Sequence, residues 1–140
     1  MPRADPQAPR GGATDVALAV ATRGGRALVA RRAAGTHLAG AWEFPGGKLV
    51  PGETPPDGAR RELLEETRLE ADALEPLGLF VYEYPDRSLR FHVFLAREPR
   101  GDVRLDGERE WAWKSWEELS ALEMPPANAP IVSALRWRLA

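Results

Sequence analysis

Three carboxylates in the middle of the chain have a spacing that suits metal binding. Glu62, Glu65 and Glu66 follow an i, i+3, i+4 pattern, which places side chains on one side of an α-helix. Like charges at this spacing repel, and the cations close by in the sequence are Arg61 and Arg68, with Arg60 next to Arg61. A divalent cation would remove the repulsion. A solvated acidic helix is an equal alternative on spacing alone.

The residues before the glutamates predict where this helix begins. Thr54, with Asp57 three residues on, forms a capping-box-like start, and Pro55 suits the first helical position because its missing N–H is not needed there. The pattern therefore predicts a helix over 55–67.

Glycines precede the predicted helix. Gly46 and Gly47 lead into Lys48, and Gly52 precedes Glu53. Glycine tolerates a positive φ and lets the backbone approach a ligand closely, so a carbonyl or N–H group here could contact a metal or a phosphate.

Taken together, these residues resemble the Nudix box. The match consists of Gly47, then Glu53 after five residues, then Arg61-Glu62-Leu63-Leu64-Glu65-Glu66 after seven more. Arg68 departs from the pattern, because the family has a glycine there that ends the helix in a left-handed conformation. A non-glycine residue costs about 1 kcal/mol of strain at such a position, unless the helix ends by another route.

The resemblance implies hydrolysis of nucleoside diphosphates linked to another moiety, with Mg²⁺ or Mn²⁺ as cofactor. Glu62, Glu65 and Glu66 would hold the metals, and the carbonyl of Gly46 or Gly47 would add a ligand. Glu53 would support them through water or an indirect contact, and Arg61 would orient the glutamates by salt bridges. Such a cluster with Mg²⁺ neutralises a diphosphate and activates water.

The general base varies within the family and is often a glutamate in a loop far downstream. Glu108 and Glu110 are the candidates here, and Asp106 is a weaker one. For each, a plain solvated loop charge is an equal alternative.

Composition bounds the class of protein. A chain of 140 residues fits one domain with a real core, and 44% hydrophobic and 29% charged residues are ordinary for a globular protein. A net charge of −2 and a pI near 5.8 argue against binding a nucleic-acid polymer. With no cysteine and two histidines, oxygen ligands and hence Mg²⁺ or Mn²⁺ are favoured. No apolar run suits a membrane span or a signal peptide, so we expect a cytoplasmic protein, most simply a monomer.

Patterning along the chain predicts an α/β layered domain. Residues 1–12 are rich in Pro, Arg and Gly and predict a disordered tail before a single domain over 13–140. The remaining expectations are a hairpin of strands 14–21 and 26–31, a second hairpin of strands 77–84 and 89–96 covered on both faces, a polar loop 98–109, a strand 111–116, a helical turn 117–122 and a last helix 129–139. Nudix proteins form an α/β/α sandwich with a mixed central sheet, so the resemblance implies the same architecture.

Outside the box, the resemblance narrows to the MutT branch of the family, which hydrolyses 8-oxo-dGTP to 8-oxo-dGMP and pyrophosphate. The matching segments are 30–34 followed by His37, 43–48, 84–87, and 125–128 with 130–131. They imply substrate binding by Arg32, Glu43, Phe44, Gly46, Lys48, Arg87 and Asn128.

Base recognition is the role implied for Asn128. An amide presents a donor beside an acceptor, and oxidation at C8 turns N7 of guanine from an acceptor into a donor, so an amide bridging O6 and N7 distinguishes the two bases. From the residues alone, an N-cap of the last helix is the favoured role. Four aromatic residues could stack on a base, although each is more often a core residue: Phe80, Tyr82, Tyr84 and Phe91.

Two other functions remain open. Relatives acting on CTP or methylated dCTP have a similar segment before the box, but many have Asp at the position of Asn128, which favours guanine. A non-catalytic Nudix-like binding domain is disfavoured, because such domains usually lose box glutamates and this chain keeps Glu53, Glu62, Glu65 and Glu66.

Overall fold

The computed structural model describes residues 13–36 and 38–139, without the side chain of Glu108. The predicted tail over 1–12 and His37 therefore lie outside the described residues. The strands are β1 (Ala13–Arg23), β2 (Arg26–Arg31), β3 (Trp42–Glu43), β4 (Gly46–Lys48), β5 (Glu75–Tyr84), β6 (Arg87–Arg97) and β7 (Trp111–Lys114). The helices are α1 (Pro55–Thr67), α2 (Trp116–Ala121) and α3 (Ala129–Ala134).

Within the described residues, seven strands form one mixed sheet around β1. On one side, β1 runs parallel to β6, with Ala13 opposite Ser88 and Thr22 opposite Arg97. On the other side, β1 pairs antiparallel with β4 at 16–18 and with β2 at 22–23. β2 then diverges to pair with β7 and β3. The predicted mixed sheet is confirmed.

The alternation of side chains along β1 builds two separate cores. Leu18 and Val20 lie in the core that contains Ile131 and Leu119 of the C-terminal helices. Residues 17, 19 and 21 are all alanine and lie on the opposite face, in the core that contains Leu63 of α1. Helices therefore cover both faces of the sheet, which confirms the predicted α/β/α sandwich.

Helix α1 has the predicted bounds. The Thr54 hydroxyl accepts a hydrogen bond from the N–H of Asp57 at 3.3 Å, and Pro55 begins the helix. Arg68 ends it in the left-handed conformation, with φ 68° and ψ 9°, and its N–H donates to the carbonyl of Leu64. The helix thus ends as it would with glycine, so the arginine carries the expected strain.

The second hairpin forms as predicted, but one of its strands is not covered on both faces. β5 is the last strand in the sheet order, and Leu79 and Val81 are 57% and 54% exposed. That expectation was wrong for β5, because α1 covers β1 and does not extend over the outermost strand.

The last helix is shorter than predicted. α3 ends at Ala134, and residues 135–138 continue as turns. Asn128 precedes it inside a 3-10 turn (Pro126–Asn128) and makes no side-chain capping bond. The capping role expected from the residues alone is therefore wrong. Among the described residues, no helix is long and apolar enough to cross a membrane.

Candidate active site

Arg61 binds three of the four box carboxylates, those of Glu53, Glu62 and Glu65. Its Nε and Nη2 donate to the two carboxylate oxygens of Glu53 at 2.7 and 2.9 Å. Its Nη1 donates to Glu62 at 2.9 Å and to Glu65 at 3.2 Å. Nη2 also donates to the carbonyl of Lys48 on β4 at 3.2 Å. One guanidinium therefore ties the loop before α1, the helix and β4 together.

Glu53 is held in its ionised form by these contacts. Hydrogen bonds from Arg61 lower the pKa of its carboxyl group, and the N–H of Val50 adds a further bond at 3.2 Å. Gly52, directly before it, has φ 81°, which is the left-handed conformation expected of a glycine in this loop.

Glu62 and Glu66 face the glycines of β4. The N–H of Gly46 donates to Glu66 Oε2 at 2.7 Å. A Cβ added to Gly47 would lie 2.6–2.8 Å from the carboxyl atoms of Glu62, and one added to Gly46 would lie 2.5 Å from the carbonyl oxygen of Ala17. Neither glycine has a positive φ, so the conformational reason given for them from sequence is wrong. Close approach of the backbone is the reason they are needed.

The environment of Glu66 makes it the most perturbed carboxyl group in this cluster. Burial raises its pKa to about 7, against the opposing effect of the hydrogen bond from Gly46. The negative charges of Glu62 and Glu43 raise it further, and the positive charge of Arg109 lowers it. Near neutral pH a divalent cation can displace the proton from a carboxyl group in this environment, because the cation binds the ionised form.

The donor set fits a hydrated hard cation. Within the described part of the chain, no three Asp, Glu, His or Cys side chains converge as a complete metal cage. Magnesium sites on phosphate enzymes are commonly incomplete in this sense, since Mg²⁺ binds one or two carboxylates, substrate phosphates and water. Glu62 and Glu66 beside the β4 backbone suit this arrangement. Glu65 is 58% exposed and contacts Arg61.

A pocket of about 310 Å³ opens on the other side of β4. All seven residues predicted to bind substrate line it: Arg32, Glu43, Phe44, Gly46, Lys48, Arg87 and Asn128. Gly46 and Gly47 line the pocket and also face the glutamates of α1, so β4 forms the wall between the two. The structure therefore joins the box to the residues matched outside it.

The inner end of the pocket combines apolar surface with one amide. Phe44 and Phe91 are buried and line it, and Asn128 is 6% exposed in the same lining. Tyr84 also lines the pocket, with the Arg87 guanidinium 5.5 Å from its ring centroid. The other two aromatic candidates, Phe80 and Tyr82, pack against the core on β5.

Two arginines hold Glu43 at the pocket wall. Arg32 Nη1 donates to Glu43 Oε1 at 2.7 Å, and Arg109 Nη2 donates to Oε2 at 3.4 Å. Arg109 Nε donates to the carbonyl of Arg31 at 2.8 Å. No sequence pattern pointed to Arg109, because no regular spacing relates it to Glu43, 66 positions away.

Two of the three downstream acidic candidates, Glu110 and Asp106, contact arginines and not the glutamates of α1. Glu110 is 68% exposed and pairs with Arg31 at 3.2 Å, outside the lining of the pocket. Asp106 contacts Arg68 at 3.4 Å. The side chain of Glu108 lies outside the described residues. Their assignment as general base stays a prediction.

Comparison with known proteins agrees with this geometry. The NUDIX domain family matches residues 12–135. The 8-oxo-dGTP diphosphatase of Escherichia coli K12 is 37% identical over 113 residues, covering 78% of this chain and 84% of that protein. The CTP pyrophosphohydrolase of the same organism is 32% identical over 120 residues, covering 86% and 89%. The solution structure of the E. coli ORF135 protein, 31% identical, superposes with a TM-score of 0.79 and covers 90% of this chain and 92% of that one. The chain belongs to the Nudix hydrolase family.

Proposed function

We propose that the protein is a Mg²⁺- or Mn²⁺-dependent pyrophosphohydrolase that converts 8-oxo-dGTP to 8-oxo-dGMP and pyrophosphate. The supporting observation is the shared wall: β4 presents Gly46 and Gly47 both to the pocket containing Asn128 and to the carboxylates of α1. A nucleotide with its base beside Asn128 and its phosphates over β4 would present an anhydride to the glutamates.

Each residue of the cluster has a chemical task in this scheme. Glu62 and Glu66 would hold the cation, which neutralises the phosphates and activates water. Arg61 would fix Glu62 and Glu65 by its hydrogen bonds, and Glu53 would fix Arg61. Water would add to phosphorus and lose a proton to a general base, while the bridging P–O bond breaks and its electron pair leaves on the bridging oxygen of the departing phosphate group.

Recognition of the oxidised base would rest on Asn128. Its buried amide offers a donor to O6 and an acceptor to N7–H of 8-oxoguanine. Ordinary guanine has an unprotonated N7 and would leave the amide oxygen unpaired in a buried site. An unpaired polar group of this kind supports discrimination on the order of 10⁴.

The second candidate is a pyrophosphohydrolase of cytidine nucleotides. The relative named CTP pyrophosphohydrolase covers more of this chain than the 8-oxo-dGTP diphosphatase does, 86% against 78%. The asparagine at position 128, where many cytidine-type relatives have aspartate, favours guanine. A panel of 8-oxo-dGTP, dGTP, CTP and methylated dCTP separates the two.

The experiment is product analysis in the presence and absence of a divalent metal. Separate detection of pyrophosphate and phosphate should show pyrophosphate alone, with turnover lost in EDTA and restored by Mg²⁺. Release of orthophosphate would contradict cleavage to the monophosphate, and absence of turnover on every nucleotide would favour a binding domain.

In cells, we propose a cytoplasmic, monomeric enzyme that removes 8-oxo-dGTP from the nucleotide pool and so lowers the mutation rate of a MutT-deficient strain. Without that rescue the antimutator role should be dropped.

A further inference from the structure

The side chain of Arg109 crosses the end of β2, from the edge that pairs with β7 to the edge that pairs with β3. β7 and β3 both pair with β2, and Ala30 lies opposite Trp111 on one side and Glu43 on the other. Arg109 precedes β7 by two residues, and its side chain reaches Glu43 across the end of β2. Its Nε is anchored on the way by the carbonyl of Arg31.

This arrangement gives Arg109 a different position from the other arginine that holds Glu43. Arg32 lines both the pocket that contains Asn128 and a neighbouring cavity of about 440 Å³, whereas Arg109 lines the neighbouring cavity and does not line the pocket. Arg109 is 21% exposed, so its charge is only partly screened by water. It contacts the carboxylate oxygen that Arg32 does not take.

We propose that Arg109 is a positioning residue that holds the Glu43 carboxylate in the orientation needed to bind the nucleotide. The proposal rests on the proposed function, since it requires Glu43 to meet substrate in the pocket. A carboxylate gripped at both oxygens cannot rotate about its terminal bond, and its remaining lone pairs then point in fixed directions. The planar guanidinium can bond Arg31 and Glu43 at once, which a lysine ammonium cannot match in geometry.

The test compares kinetics of Arg109→Ala and Arg109→Lys with those of Arg104→Ala, a matched loss of charge at an exposed arginine in the same loop. With 8-oxo-dGTP as substrate, Arg109→Ala should raise KM about tenfold, the effect of one hydrogen bond to a charged group, and change kcat less than threefold. The KM of Arg109→Lys should lie between those of the wild type and Arg109→Ala. The KM of Arg104→Ala should equal that of the wild type. Equal KM for Arg109→Ala and Arg104→Ala would overturn the proposal.

A double variant tests whether the effect passes through Glu43. Because Arg109 acts on this carboxylate, the double variant Glu43→Gln/Arg109→Ala should have the same KM for 8-oxo-dGTP as Glu43→Gln alone. Additive losses would show that Arg109 acts elsewhere and would overturn the proposal.

A crystal structure of Arg109→Ala supplies a readout that does not need activity. Displacement or disorder of the Glu43 carboxylate supports the proposal, and an unchanged carboxylate overturns it. If the wild-type enzyme does not hydrolyse 8-oxo-dGTP, the proposed function fails, and this structure still decides the role of Arg109.

Discussion

Arg61 binds Glu53 through two parallel hydrogen bonds, with Nε to Oε2 at 2.7 Å and Nη2 to Oε1 at 2.9 Å. The same guanidinium donates to Glu62 and Glu65 one and four residues further along the helix. The carboxylates of Glu53 and Glu62 raise the pKa of Arg61 above its ordinary value, so its guanidinium stays charged at any pH at which the protein folds. A fixed cation therefore organises a set of anions that would otherwise repel one another.

Turnover is expected to depend on the glutamates that face β4, Glu62 and Glu66. Glu66→Gln and Glu62→Gln remove a negative ligand from the cation while keeping the size of the side chain, so kcat should fall by about 10²-fold or more with the fold intact. Glu65→Gln should also lower kcat, by a smaller factor, because Glu65 is mostly exposed. Steady-state kinetics with circular dichroism checks this.

Glu70→Gln is the matched control for these variants. Glu70 pairs with Arg100 on the surface, so this change should leave turnover unaltered. Full activity of Glu66→Gln would contradict the metal assignment.

Adjacent glycines on β4 should respond differently to alanine. The three atoms nearest to a Cβ at Gly47 all belong to the carboxylate of Glu62, and displacing this carboxylate should lower kcat/KM by about 10²-fold with little change in stability. A Cβ at Gly46 meets Leu18 and the carbonyl of Ala17, so Gly46→Ala should destabilise the fold by about 1–3 kcal/mol. Denaturant unfolding beside kinetics separates the two effects. Equal loss of stability in both would contradict the close approach of Gly47 to Glu62.

The raised pKa of Glu66 predicts how stability depends on pH in the metal-free protein. Its value of about 7 exceeds the ordinary 4.5, so between pH 4.5 and 7 the native state holds a proton that the unfolded state has lost. The free energy of unfolding should therefore fall as pH rises through this window, by at most about 1.4 kcal/mol per pH unit. Adding Mg²⁺ should reverse the loss at pH 7.5 more than at pH 5, because the cation binds the ionised carboxylate.

Unfolding in EDTA at pH 5 and 7.5 measures this slope. Glu66→Gln has no proton to lose and is the control, so its unfolding free energy should change less with pH. An identical slope in the variant would assign the effect to other groups.

Asn128 offers a test in which two roles give opposite results. Because its side chain makes no capping bond, Asn128→Ala should cost less than the roughly 1 kcal/mol of a lost N-cap. The preference for 8-oxo-dGTP over dGTP should fall sharply, since the pocket loses its amide. Unchanged preference with a lowered melting temperature would return Asn128 to a structural role.

Arg68 is expected to be replaceable. Arg68→Gly removes a left-handed non-glycine residue and should gain up to about 1 kcal/mol, offset in part by loss of the hydrogen bond from its guanidinium to the carbonyl of Glu65. Turnover should not change. A clear loss of kcat would show that Arg68 has a role in the site.

Local patterns predicted α1 and the layered fold, because caps, helical spacing and strand alternation depend on residues that are close together in the sequence. The two- and three-residue strands β3 and β4 were not predicted, since pairing with β2 and β1 forms them and Gly46 and Gly47 have low strand propensity. Likewise the resemblance supplied Glu43 and Asn128, whereas Arg109 depends on a contact between distant segments. The pairing of β3 and β7 with the same strand, β2, brings Arg109 to Glu43, and no local pattern predicts this pairing.

The central claim is tested most directly by the ratio of kcat/KM for 8-oxo-dGTP to that for dGTP, measured with Mg²⁺ and pyrophosphate detection. We expect the wild-type ratio to exceed about 10², and the ratio for Asn128→Ala to approach one. A wild-type ratio near one, or faster turnover of CTP than of either guanine nucleotide, would contradict the assignment of 8-oxo-dGTP as substrate.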